Sequence, residues 1–98
     1  TSIQPYSAQS CSGNTCMFLS TPSGGAVTVQ GWAYGTSFYG YFYLTAPSGT
    51  YYSPTQTWLG GKGNWAQWPG IAAIAGQYCV TGYSSTNIFE GTVCNSVL

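Results

Sequence analysis

Over residues 26–45 the chain alternates strictly on either side of Gly35-Thr36. Val27, Val29, Gly31 and Ala33 keep one phase before it, and Phe38, Gly40, Phe42 and Leu44 keep one phase after it. A period of two residues is the mark of a half-buried β-strand, whose successive side chains point to opposite faces. The other phase holds Thr28, Gln30, Trp32 and Tyr34, then Tyr39, Tyr41 and Tyr43. Two such runs joined by a two-residue loop predict a β-hairpin. Counting outward from Gly35-Thr36 sets Val27 against Leu44, Val29 against Phe42 and Trp32 against Tyr39. One face of that hairpin is wholly apolar and belongs to a core. The opposite face is aromatic with polar tips, and it carries Trp32, Tyr34, Tyr39, Tyr41 and Tyr43.

No stretch argues for a helix: there is no capping box, no 3.6-residue apolar period, and Gly or Pro recurs every few residues. Residues 1–10 lack any period and contain Pro5, which suits an arm or an edge strand. Residues 16–19, 50–53 and 56–59 read as short strands, separated by the turn-rich runs 21–25 and 46–49. Residues 77–83 and 88–93 form a second predicted hairpin over residues 84–87, and the glycine-rich run 60–64 is the most flexible by composition. The expected fold is all-β: one domain over residues 1–98, a small antiparallel β-sandwich or barrel of six to eight short strands with two disulfides. Phe18, Phe38, Phe42 and Phe89 are the expected aromatic core.

Charge decides what the chain can meet. Lys62 and Glu90 are its only ionised side chains, and there is no His. Ordinary domains are about a quarter charged. With no basic patch, nucleic acid and anionic lipid surfaces are excluded as partners. No apolar run reaches the roughly 18 residues of a membrane-spanning helix, so membrane insertion is not expected. Catalysis is not expected either. A Ser or Cys nucleophile lacks its His base, and the two carboxylates of a glycosidase are missing. Lys62, in a glycine-rich run, reads as a solubilising charge. No cofactor motif occurs, and no metal-ligand set exists apart from the cysteines.

The cysteines point to an oxidising compartment. Four allow three connectivities, and proximity favours Cys11 with Cys16 and Cys79 with Cys94. Zinc is disfavoured, because the gap between Cys79 and Cys94 is not a knuckle spacing. Small disulfide-bearing domains are characteristically secreted, and an extracellular location with a removed leader is the expectation.

The aromatic residues, 17% of the chain, then carry the functional question. The Trp32/Tyr39/Tyr41/Tyr43 face either packs under the 1–10 arm and the 60–70 segment, or it is exposed. If exposed, with Gln30 beside it and the indoles of Trp65 and Trp68 extending it, it suits a neutral polysaccharide or a cell-surface ligand. Trp65 and Trp68 lie three apart and so cannot share a strand face; one of them capping the core is the commoner arrangement. The same face suits a protein partner, including further copies of the chain in an extracellular assembly, since Tyr and Trp anchor interfaces where charge is depleted. A third expectation, an inhibitor or antimicrobial protein, rests on the tight loop between Cys11 and Cys16.

The run Gly40-Tyr-Phe-Tyr-Leu-Thr-Ala-Pro-Ser-Gly49, the strand Gln77-Tyr-Cys79-Val-Thr-Gly-Tyr83 and the closing Gly91-Thr-Val-Cys94-Asn-Ser-Val97 resemble small secreted two-disulfide β-sandwich proteins of actinobacteria. The resemblance covers about the last 60 residues of the chain. It implies a secreted, non-enzymatic β-sandwich and transfers no site residue.

Overall fold

The computed structural model describes residues 8–97, and all of its regular structure is β. Nine strands follow in order: β1 (Ala8–Ser12), β2 (Thr15–Leu19), β3 (Ala26–Ala33), β4 (Phe38–Ala46), β5 (Gly49–Tyr52), β6 (Gln56–Trp58), β7 (Ala66–Ala72), β8 (Gly76–Ser84) and β9 (Phe89–Val97). This is at least one strand more than the sequence suggests, because residues 66–72 pair as β7 where a loop was expected. All pairings are antiparallel. The first sheet runs β1-β2-β3-β7; the second runs β5-β4-β8-β9, with β6 also pairing β4. β5 and β6 share one edge of β4, opposite Tyr43–Ala46 and Phe38–Gly40 respectively. Between them Ser53 serves Phe42 twice: its amide donates to the Phe42 carbonyl (2.9 Å) and its Oγ accepts from the Phe42 amide (2.8 Å). The 1–10 arm forms an edge strand from Ala8 onward, and residues 1–7 lie outside the described range.

The two sheets face each other over one core built from Met17, Leu19, Val27, Val29, Phe42, Leu44, Trp58, Trp68, Tyr78 and Val80 among others. Their closeness is visible at Gly31 of β3, where a Cβ would meet Val80 Cγ1 of β8 at 2.7 Å. Phe42 and Phe38 do belong to this core or pack against it. Phe18 and Phe89 do not. Phe18 is half-buried in the phase of β2 opposite Met17 and Leu19, and Phe89 is exposed.

The expected hairpin of residues 26–45 is not formed. β3 pairs with β2 and β7 in one sheet, β4 with β5, β6 and β8 in the other, and residues 34–37 carry the chain across the sandwich. The inward sets are nevertheless the expected ones. Val27, Val29 and Ala33 face Phe42 and Leu44 through the core rather than beside them in one sheet. Burying each strand's apolar face against the other achieves what a lone hairpin cannot, since a single sheet leaves that face in water.

Asn14 fixes this crossing. The two-residue loop Gly13-Asn14 closes the β1–β2 hairpin, with Gly13 at φ +60°, a value glycine adopts without steric cost. From there Asn14 Oδ1 accepts from the amides of Gly35 and Thr36 (2.9 Å each), and its Nδ2 donates to the Thr36 carbonyl at 2.7 Å and to Glu90 Oε1 at 3.1 Å. Its backbone amide donates to the Glu90 carbonyl and its carbonyl accepts from Tyr34. One side chain thus ties the crossover to β9. Asn14→Ala removes the four side-chain bonds, and the expected loss is about 2 kcal/mol of unfolding free energy. Urea denaturation checks it; an unchanged midpoint would show that the crossover holds itself.

The glycine-rich run 60–64 is likewise pinned. Gly61 and Lys62 donate to the carbonyls of Tyr34 and Ala33, and Asn64 bonds the Leu59 amide and the Thr57 carbonyl through its side chain.

Candidate functional site

A sandwich of this kind has two outer faces, and the predicted site residues divide between them. Gln30 and Trp32 lie in the outward phase of β3. Tyr39, Tyr41 and Tyr43 lie in the outward phase of β4, on the other sheet. The joint Trp32/Tyr39/Tyr41/Tyr43 face therefore does not exist, because it rested on β3 and β4 being sheet neighbours. Trp68 leaves the site altogether. It sits opposite Val29 and is buried in the core, while Trp65 stays half exposed.

On the first sheet, Cys11, Cys16 and Trp32 stand in one row and Gln9, Phe18, Gln30 and Gln67 in the next. The turn holding Lys62 folds over this surface. Its ammonium lies 4.1 Å from the Trp32 ring centroid and 5.5 Å from that of Trp65, and it donates to Gln30 Oε1 at 3.4 Å. Gln30 in turn donates to Gln67 Oε1 at 3.0 Å. Lys62 is thus a cation–π cap rather than a free solubilising charge. With the cap in place Trp32 is only 4% exposed. Lys62, Gln30 and Gln67 are thus engaged with one another.

Among the described residues no segment covers the outer face of the second sheet. Register puts Tyr52, Tyr43, Thr81 and Thr92 in one row across β5, β4, β8 and β9, and Tyr41, Tyr83 and Phe89 in the next. Thr50, Thr45, Cys79 and Cys94 follow on one side, and Tyr39 with Thr57 on the other. The rings form a continuous cluster. Tyr43 and Tyr83 are near parallel, 6.3 Å apart with 6° between planes, and Tyr41 stands 6.3 Å from Tyr83. Tyr52 lies 5.6 Å from Tyr43 and 6.2 Å from Tyr41, while Phe89 meets Tyr83 edge-on at 5.6 Å. Tyr52 is 68% exposed, Phe89 57% and Tyr39 55%. Of the two segments expected to cover this face if it were packed, residues 60–70 lie against the opposite sheet, residues 8–10 belong to β1 of that opposite sheet, and residues 1–7 lie outside the described range.

Among the described residues this face carries no ionised side chain. Lys62 is across the sandwich, and Glu90 turns its carboxylate to the Asn14 side chain at the β1–β2 loop. Its hydrogen-bonding groups are neutral: the hydroxyls of the tyrosines, of Thr45, Thr50 and Thr57 and of the mutually bonded Thr81 and Thr92 (2.9 Å), and, beyond the Cys79/Cys94 row, the Gln77 amide. Among the described residues there is no pocket and no cluster of His, Cys, Asp and Glu that could hold a metal. A surface without a pocket contacts an extended partner along its length and cannot enclose a small one.

Tyr52, Tyr83 and Phe89 were not anticipated as site residues. Tyr83 had a visible signal, because it shares its strand phase with Cys79 and Thr81. Tyr52 had none, since the adjacent Tyr51 packs on the core and only pairing with β4 separates the two roles. Both disulfides are formed as expected, Cys11–Cys16 and Cys79–Cys94, each between directly opposed residues. A bulge between Gly82 and Tyr83 inserts Glu90 opposite the β8 ladder and sets Cys79 level with Cys94. Comparison with protein-family models, curated proteins and solved structures finds no match for this chain.

Proposed function

We propose that the chain is a secreted, non-catalytic binding domain whose second sheet holds a neutral polysaccharide on the Tyr41/Tyr43/Tyr52/Tyr83 surface. The observation that carries this reading is the continuity of four tyrosines and Phe89 on a face that, among the described residues, has no pocket and no ionised side chain. Aromatic rings offer an apolar, electron-rich face to the C–H groups of a sugar ring, and their hydroxyls keep a polar handle in reach of sugar hydroxyls. A neutral ligand then meets this surface without desolvating any charge. Tyr39 and the threonine rows extend the track in both directions.

Affinity electrophoresis and titration with neutral polysaccharides (a β-glucan, a galactomannan and a chitin oligosaccharide) test this. At least one should retard the native protein, with little dependence on ionic strength, because no ion pair is screened. Tyr41→Ala and Tyr83→Ala should each weaken binding by about 1.5 kcal/mol, roughly tenfold in Kd. Trp65→Ala, just ahead of β7 and across the sandwich, should leave it unchanged. Failure of every neutral polysaccharide to bind, or an equal loss with Trp65→Ala, overturns the reading.

A second reading is favoured by the exposed rim of Ile88, Phe89 and Tyr52, which resembles the apolar part of a protein interface. In that case the chain is a subunit of an extracellular assembly, and light scattering over a wide concentration range should show oligomers that no glycan dissolves.

A further inference from the structure

The geometry points to Tyr43 and Tyr52 as an oxidative coupling site, at which a peroxide and a haem peroxidase join the two rings into dityrosine and staple β5 to β4. The two residues are direct cross-strand partners, and their 5.6 Å centroid separation is the shortest among the tyrosine pairs of this face. Tyr52 stands on a four-residue edge strand and is 68% exposed. Its ring therefore turns about its side-chain torsions without disturbing the core, which brings the carbons beside the two phenol oxygens together.

The balance is simple. Each phenol gives up one electron and its hydroxyl proton, and the two phenoxyl radicals form one carbon–carbon bond between the ring positions next to oxygen. The hydrogen on each joined carbon then moves to the neighbouring oxygen and restores both phenols. The two electrons and two protons released reduce one hydrogen peroxide to two waters.

The surroundings favour this outcome over others. Tyr41 and Tyr83 lie within 6.5 Å of Tyr43, so a radical formed on any of the cluster has a short path to the coupling pair. Thiols and thioethers are the usual protein groups that intercept an oxidant. Here all four cysteines are in disulfides and the one methionine, Met17, is fully buried. Trp65, the exposed indole, lies just ahead of β7 on the far side of the sandwich. The inference does not depend on polysaccharide binding, since it needs only the placement of the two rings.

The test treats the dilute, disulfide-intact protein with a haem peroxidase and hydrogen peroxide, then reads dityrosine fluorescence, electrophoretic size and intact mass. The expected product is a monomer lighter by two hydrogens that carries the dityrosine emission. Tyr43→Phe and Tyr52→Phe keep the rings and their packing, and each should return the emission to background at an unchanged melting temperature. Tyr34→Phe, exposed in the β3–β4 connection, should leave it intact. Emission confined to cross-linked oligomers, or surviving in either Tyr43→Phe or Tyr52→Phe, overturns the assignment.

Discussion

Trp58→Ala is expected to lower the unfolding free energy by about 3–5 kcal/mol, as for other large aromatic truncations in a core. A domain of this size has roughly 5–15 kcal/mol in all, so the variant should be near the limit of folding at ambient temperature. Three features set the magnitude. Trp58 is 1% exposed, its ring meets Phe42 edge-on at 5.0 Å, and its indole Nε1 donates to the Gly40 carbonyl at 2.9 Å. It also sits on the three-residue β6, whose hold on β4 is the shortest pairing in the second sheet. Trp58→Phe separates the contributions. It restores most of the apolar volume but leaves the buried Gly40 carbonyl without its donor, for an expected loss of about 1–3 kcal/mol. Denaturation followed by circular dichroism measures both. A Trp58→Ala loss under about 1 kcal/mol would mean that the core at β6 collapses onto the gap.

The neighbourhood of that indole explains what the sequence could and could not reveal. Alternation over residues 26–45 correctly separates inward Val27, Val29, Phe42 and Leu44 from outward Gln30, Tyr41 and Tyr43. It cannot distinguish two strands side by side in one sheet from two strands facing each other across a core. Both arrangements demand the same complementary apolar phases. The deciding contact is Asn14 on the crossover at Gly35 and Thr36, more than twenty residues away in sequence, and nothing local to residues 34–37 announces it.

The same limit governs the site. The Tyr39/Tyr41/Tyr43 ladder is legible because it lies within one strand. Its completion by Tyr83 and Tyr52 follows from β4 pairing with β8 and β5, so it appears only once the sheet order is known. Spacing says that Trp65 and Trp68 cannot share a strand face and that one of them caps the core, but not which; it is Trp68. Its inward direction follows from its place opposite Val29, just ahead of the irregularity that Pro69 and Gly70 introduce into the β3–β7 ladder. The cysteine pairing, by contrast, needed only short separations and a hairpin, and both were local.

The two disulfides should differ in worth in the order of the loops they close. Cys79–Cys94 spans a separation of 15 residues, for which loss of denatured-state entropy corresponds to about 3 kcal/mol, whereas Cys11–Cys16 spans 5 and corresponds to about 2 kcal/mol. Cys79→Ser/Cys94→Ser is therefore expected to destabilise more than Cys11→Ser/Cys16→Ser. Both variants should show a steeper dependence on urea than the parent, since an unlinked denatured chain exposes more surface. Each link joins residues already opposed in register, so neither is required to define its hairpin, and the native pairing should survive in the folded fraction. Cys79 and Cys94 also flank the threonine rows beside the tyrosine surface. If that surface is positioned by the sheet itself, the folded Cys79→Ser/Cys94→Ser variant keeps its polysaccharide affinity while losing stability. A reversed order of destabilisation would show that residual structure in the denatured chain, rather than loop length, sets the contribution of each link.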